Sequence, residues 1–132
     1  MALPSFAPDP KKARQYELCI DQGATYRPVL SLVDNEDCVT PIDVTGWTFR
    51  MQIREKDQDG ALIVELTTAN GGVVIVDAVN GQVELLIADT VTDAFTEAQF
   101  KCAVYDLEAI DALGNVERIM EGTAVLSLNI TR

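Results

Sequence analysis

The sequence predicts an all-β sandwich, and three observations lead to that prediction. From Arg14 onward, short segments alternate between apolar and polar residues, as half-buried strands do. Turns rich in Asp, Asn and Gly separate these segments. About eight or nine short strands separated by turns in this way are typical of an antiparallel sandwich. The 132 residues, 48% of them hydrophobic, also suffice to bury a core without metals or disulfides. We therefore expect one domain over residues 14–132 and an extended N-terminal arm over residues 1–13.

The clearest predicted strand runs from Trp47 to Arg54. Its apolar side chains occur at every second position and should share one face of a sheet: Trp47, Phe49, Met51 and Ile53. We expect Trp47 to anchor the core, because a large aromatic side chain between two sheets buries much apolar surface.

Two hairpins are predicted from their turns. Asp59-Gly60 leads out of this first strand into Ala61–Thr67, and Asp-Gly is a hairpin signal. Asn80-Gly81, a stronger signal of the same kind, joins Val73–Asp77 to Gln82–Ile87.

The remaining strands and one connector complete the predicted sandwich. The strands are expected at Tyr16–Ile20, Thr25–Val33, Phe100–Ile110, Val116–Glu121 and Ala124–Ile130. Pro28 places the second of these at a sheet edge or a bulge, since proline cannot donate to a ladder. In the last one, the alternation through Leu128 and Ile130 predicts a shared apolar face. Ala88–Ala98 should form a short helical connector, the one helix we expect, whose candidate capping residues are Asp89, Thr92 and Asp93.

The N-terminal arm is rich in proline, carries Leu3 and Phe6, and ends in Lys11-Lys12. Such a composition favours an extended segment over a packed element. Two interpretations are open: a frayed terminus, as at most domain ends, or a tether whose Leu3 and Phe6 insert into a neighbouring subunit. On the second interpretation, Leu3 and Phe6 are the candidate partner-docking residues.

The charge and the apolar runs argue against several classes of function. The net charge of −11, from 21 acidic and 10 basic residues, repels phosphate backbones, so we expect no nucleic-acid partner. No apolar run approaches the roughly 20 residues that cross a bilayer, so we expect no membrane partner. The N-terminus has neither a basic head nor an apolar stretch, so we expect no secretory signal and a protein made in the cytoplasm.

Residues that carry catalytic or metal chemistry are absent or scattered. Histidine is absent, which excludes Ser-His-Asp triads, Cys-His pairs and histidine-ligated zinc. Cys19, Cys38 and Cys102 are irregularly spaced, which indicates buried or incidental thiols, with a Cys19–Cys102 bridge as the alternative. Cys102 is expected to be buried on a strand, and the alternative is an exposed, reactive thiol beside Lys101. Asp34–Asp37 is interpreted as a solvated turn, with a calcium site as the alternative. We expect no catalytic residue, cofactor or metal, and the one enzyme hypothesis left is glycan hydrolysis by a carboxylate pair.

Several motifs occur in a fixed order along the chain from Tyr16 to Arg132. The most specific is Pro41–Arg54, in which Pro-Ile-Asp-Val-Thr-Gly precedes an alternating strand that ends in Gln-Ile-Arg. The others are Asp21–Thr25, Asn80–Val83, Tyr105–Glu108 before Gly114–Val116, and Glu121–Val125. In these motifs the chain resembles a group of short phage proteins typified by the N-terminal domain of the upper baseplate protein of lactococcal siphophages.

This resemblance implies an immunoglobulin-like fold in a non-enzymatic virion component that holds tail fibres, baseplate parts or neck parts together. Its partners would be other virion proteins, and several copies or a symmetric homo-oligomer would occur in the particle. The chain ends at Arg132 without a fibre region, and its Ala88–Ala98 connector departs from the family pattern, so we expect a small adaptor or connector. The alternatives are a capsid decoration protein and a module that binds glycans of the host surface.

Overall fold

The computed structural model describes residues 5–6, 14–34 and 39–131. Ten strands form within this part of the chain: β1 Ser5–Phe6, β2 Arg14–Gln15, β3 Leu18–Asp21, β4 Val29–Leu32, β5 Thr48–Arg54, β6 Leu62–Thr67, β7 Val73–Asp77, β8 Gln82–Leu85, β9 Val104–Ile110 and β10 Val116–Ser127. Between β8 and β9 lie a short α-helix, α1 (Asp89–Asp93), and a 3-10 turn at Glu97–Phe100.

The strands make two sheets that pack face to face as a sandwich. The four-stranded sheet has the order β1-β4-β8-β7. In the six-stranded sheet β10-β9-β5-β6 are successive neighbours, and β2 and β3 both pair with the edge of β10 away from β9. The orders β4-β8-β7 and β10-β9-β5-β6 correspond to the B-E-D and G-F-C-C′ strands of an immunoglobulin domain. The predicted all-β, immunoglobulin-like sandwich is therefore confirmed.

The first three strands pair in parallel, which the expectation of an antiparallel sandwich did not include. β1 pairs with β4, and β2 and β3 pair with β10, in each case in the parallel sense. The other strand pairs are antiparallel. A parallel pair needs a long connection in place of a hairpin, and each of these short strands is far in sequence from the end of its partner.

The alternation in β5 places Phe49, Met51 and Ile53 in the core, as predicted. Trp47, however, precedes the strand and is only partly buried, with its ring 6.3 Å from that of Phe49. The expectation that Trp47 anchors the core is therefore wrong in detail. Phe49 occupies the centre of the sandwich, and Trp47 packs against it from the margin.

Both predicted hairpins form, β5 with β6 and β7 with β8. Gly81 in the second turn has φ +65°, and a Cβ there would lie 2.5 Å from the carbonyl oxygen of Ile42. The Asn-Gly turn therefore serves both the reversal of the chain and the close approach of a neighbouring loop.

The predicted helical connector also forms, but its caps differ from the expected ones. The N-cap of α1 is Ala88, which makes no side-chain capping bond, whereas Thr96 and Gln99 form a capping box on the 3-10 turn. Thr92 is fully buried, and its hydroxyl is satisfied there by donating to the carbonyl oxygen of Ala24, 2.8 Å away. Among the described residues no helix is long and apolar enough to cross a membrane.

The last part of the chain differs from the prediction of two strands. β10 is a single strand of 12 residues, and it passes through Gly122 without a break. It ends at Ser127, so Leu128 and Ile130 lie beyond it and are exposed, Ile130 by 97%. Gly122 lies in the gap between the two predicted strands, and it marks a close contact within one continuous strand.

The cysteine predictions need a correction as well. Cys102 is exposed, because the chain bends at residues 101–102 after the 3-10 turn and enters β9 only at Val104. Cys19 is exposed on β3, and both thiols are free, so the structure contains no Cys19–Cys102 bridge. Cys38 lies outside the described residues.

Candidate docking surface at the loop end

Three connections meet at one end of the sandwich, which we call the loop end. They are residues 33–47 between β4 and β5, of which 35–38 are not described, residues 78–81 between β7 and β8, and residues 111–115 between β9 and β10. The Val44 amide donates to the carbonyl oxygen of Ala78 at 2.8 Å. A Cβ on Gly46 would lie 3.6 Å from the Cβ of Ala112. The first connection therefore contacts both of the others and ties the three together.

The loop end exposes large apolar side chains. Leu113 is 88% exposed, Val39 is 75% exposed, and Val79 is exposed as well. Val116, the first residue of β10, is exposed beside them. Single exposed apolar residues are common on protein surfaces. A group of them at one end of a domain, rimmed by polar residues, is typical of a surface that contacts another protein.

The same end carries negative charge. The described acidic side chains of the three connections are Asp34, Asp43 and Asp111, and Asp77 lies beside them at the end of β7. The described residues of the connections include no Lys or Arg. Hydrogen bonds from the Thr45 hydroxyl and amide lower the pKa of Asp43, because they favour its ionised form. The loop end is therefore both apolar and anionic.

The β9–β10 turn holds Leu113 outward. The Asp111 carboxylate accepts hydrogen bonds from the amides of Leu113 and Asn115, each at 2.9 Å, and these bonds lower the pKa of Asp111. Gly114 has φ +89°, a conformation that favours glycine. The bonds within the turn fix its shape, so the Leu113 side chain is displayed by a defined loop.

The outer face of the six-stranded sheet carries a cluster of charged side chains and is a second candidate site beside the loop end. Three shallow depressions of about 240 to 380 Å³ meet at Asp106. Burial raises the pKa of Asp106, and Arg118, whose Nε lies 3.4 Å from its carboxylate, opposes that shift. Arg50 pairs with Glu108 at 2.7 Å on the same face. The acidic groups here are engaged by neighbouring side chains, which is the arrangement of a solvated charged face.

The residues predicted to dock a partner lie in or near the N-terminal arm. Leu3 lies outside the described residues, whereas the backbone of Phe6 forms part of β1 and pairs with Leu32. Of the calcium alternative at Asp34–Asp37, Asp34 alone is described. The described part of the chain contains no group of three or more His, Cys, Asp or Glu side chains placed to hold a metal ion.

Sequence reasoning did not find the loop end. Val79 stands in Ala-Val-Asn-Gly and Leu113 in Asp-Ala-Leu-Gly-Asn, so each is a large apolar residue inside a turn motif. A large apolar residue inside a turn is a signal of an exposed contact residue, because turns otherwise favour Gly, Pro, Asn, Asp and Ser. Their meeting at one end depends on the sheet order, which a single turn does not reveal.

The residues that carry the family resemblance have structural roles. Asp43 and Thr45 form a hydrogen-bonded turn, Val44 is fully buried, and Gly46 has φ +81°. These residues determine how the chain enters β5. The resemblance at these positions therefore concerns the fold and does not identify a partner. The chain matches no protein-family model, and no curated protein matches it.

Proposed function

We propose that this protein is a non-enzymatic adaptor or connector of a phage particle and that it docks onto other virion proteins through the loop end. The observation that carries the proposal is that exposed apolar side chains and acidic side chains, with no Lys or Arg among the described residues of the three connections, occur together at one end of the sandwich. The phage context comes from the resemblance in Pro41–Arg54 and its companion motifs.

The chemistry of the loop end defines the partner surface. Leu113, Val79 and Val39 would enter an apolar depression, since large side chains at the centre of an interface contribute most of the binding energy. Lys or Arg around that depression would face Asp43 and Asp111, because complementary charges steer association and fix the register. The expected partner is therefore a virion protein with an apolar pocket and a basic rim.

The fold suits this role. Loops on a rigid β-sandwich are held in place by the sheets, and binding residues are often found on such loops. The N-terminal arm, with Leu3 and Phe6, is a second proposed contact to a neighbouring subunit.

Substitution at the loop end tests the proposal during particle assembly. Leu113→Asp and Val79→Asp each place a charge at an exposed loop tip, where folding is little affected. A matched control is Ile130→Asp, because Ile130 is also exposed but lies past the end of β10, at the opposite end of the sandwich. Each variant replaces the natural protein in the phage, and its amount in purified particles is measured.

The proposal predicts that the two loop-end variants fold normally but are depleted at least tenfold in particles, whereas the control is incorporated at the natural level. Equal incorporation of all three variants would contradict docking through the loop end. Leu3→Asp in the same assay tests the arm: loss of incorporation supports a contact there, and normal incorporation removes it.

A further inference from the structure

We propose that two copies of this chain associate through the outer face of the four-stranded sheet. This face, which we call the valine face, comprises Val29, Val74 and Val76 together with Arg27 and Glu84. The inference goes beyond the proposed function, because it concerns contact between copies of this chain and holds whichever larger partner the loop end binds.

The valine face is built across three neighbouring strands. Val29 on β4 lies directly opposite Glu84 on β8, and Glu84 lies opposite Val74 on β7. All three point away from the core, since their neighbours Leu30, Val83 and Val73 are buried. Val29, Val74 and Val76 are exposed. One acidic side chain thus stands between valines at the centre of the face.

The composition of β7 is that of a strand covered on both sides. Val73 and Ile75 face the core, and Val74 and Val76 face outward, so the strand is apolar in both directions. An antiparallel strand with one solvated face commonly alternates between apolar and polar residues, and β7 departs from that pattern. By contrast, the outward positions of β5 are all polar: Thr48, Arg50, Gln52 and Arg54. The outer side of β7 therefore has the character of an interface.

The local balance of charge favours a second copy as the occupant of the valine face. With a net charge of −11, two copies repel one another overall, and two acidic loop ends brought together would repel one another as well. The centre of the valine face instead carries one charge of each sign, with Arg27 Nε 3.5 Å from Glu84 Oε2. Asp77 lies at its loop-end margin and is bonded by Asn80.

A two-fold contact makes this pair self-complementary. In an isologous interface residue i of one copy contacts residue j of the other, and j contacts i in return. Arg27, whose side chain is 64% exposed, can then reach Glu84 of the second copy while the valines pack together. Three strands about five residues long span roughly 250 Å² in projection. That is well below the ~800 Å² per partner of a standard interface, so the dimer is weak and forms when copies are concentrated.

A valine substitution with a matched control tests the face. Val74→Asp places a charge at its centre, whereas Val125→Asp changes an equally exposed valine on β10 of the other sheet, 36% against 37%. Sedimentation equilibrium of the full chain measures association as concentration is raised. We expect weak dimerisation of the natural chain and of Val125→Asp, and association at least tenfold weaker for Val74→Asp. A natural chain that stays monomeric up to its solubility limit, or equal association of both variants, would overturn the proposal.

Charge reversal separates contacts between copies from those within a copy. Arg27→Glu gives a copy with two acidic groups at the face, and Glu84→Arg gives a copy with two basic groups. Each variant alone should associate less than the natural chain, because like charges then meet across the two-fold axis. A mixture of the two should restore association through opposite charges, although the pair within each copy stays broken. A mixture no more dimeric than its separate components would refute the proposed contact.

Discussion

The hydroxyl of Tyr105 donates a hydrogen bond to the backbone carbonyl of Tyr16 across the width of β10. Tyr105 lies on β9 opposite Gly122 of β10, and Gly122 in turn lies against the backbone of Tyr16. A Cβ on Gly122 would stand 2.5 Å from the same carbonyl oxygen that Tyr105 binds. The absence of a side chain at Gly122 therefore allows the N-terminal edge of the six-stranded sheet to close onto β10.

Removal of the Tyr105 hydroxyl should weaken this closure. Tyr105→Phe keeps the ring in the core but leaves the Tyr16 carbonyl without that donor, so we expect the free energy of unfolding to fall by about 1 kcal/mol. Urea denaturation measures the change. The slope of the unfolding free energy against urea concentration should be unaltered, because the same surface is buried in both proteins. A variant as stable as the natural protein would show that the bond contributes nothing.

Addition of one methyl group at Gly122 should be more damaging. Gly122→Ala forces the Tyr16 backbone away from β10, and overpacking of this kind costs up to about 3 kcal/mol. Gly114→Ala is the matched control, because Gly114 has φ +89° but no atom within 4 Å of the added carbon, so only backbone strain of roughly 1 kcal/mol is expected. If thermal unfolding showed equal losses of stability for the two variants, the close approach of Gly122 to the Tyr16 backbone would not be a determinant of the fold.

Stability should fall at alkaline pH. Burial raises the pKa of Tyr26 and Tyr105 above the value of a free tyrosine, about 10. Because the folded state holds these protons more tightly, the contribution is complete below about pH 10 and is lost as the pH rises further. The decline in unfolding free energy above that pH should be shallower in Tyr105→Phe. An unchanged slope would contradict burial of the Tyr105 hydroxyl.

The thiol of Cys19 should react slowly with disulfide reagents. Although Cys19 is exposed, partial desolvation against the sheet raises the pKa of its thiol, and Glu17, whose carboxylate lies 3.8 Å from the sulfur, raises it further. In a chain with Cys38→Ser and Cys102→Ser, Glu17→Gln should therefore increase the rate of Cys19 modification severalfold near neutral pH, since the thiolate is the reactive form. Equal rates before and after the substitution would exclude an influence of Glu17.

Local patterns predicted those parts of the fold in which neighbours in sequence are neighbours in space. The alternation in Thr48–Arg54 and the Asn80-Gly81 turn specify a strand and a hairpin by themselves. The continuous course of β10 through Gly122 depends instead on Tyr16, more than a hundred residues away, and no local pattern contains that contact. Cys102 was misplaced because the 3-10 turn before it is held by packing of Phe100 against Phe95.

The candidate site was less accessible to sequence reasoning than the fold. The arm residues Leu3 and Phe6 were selected because they are apolar residues within a proline-rich segment, a local criterion. The loop end arises only when the sheet order brings Val79 and Leu113 to the same end of the sandwich. Incorporation of the Leu3→Asp and Leu113→Asp variants into particles distinguishes the arm from the loop end as the docking surface.

Mass spectrometry of gradient-purified particles tests whether this protein is a structural part of a phage particle. If it is, the chain remains with intact particles of the phage that encodes it through repeated purification, in a fixed ratio to the major virion proteins. Its absence from intact particles, with the protein abundant in the infected cell, would exclude that role.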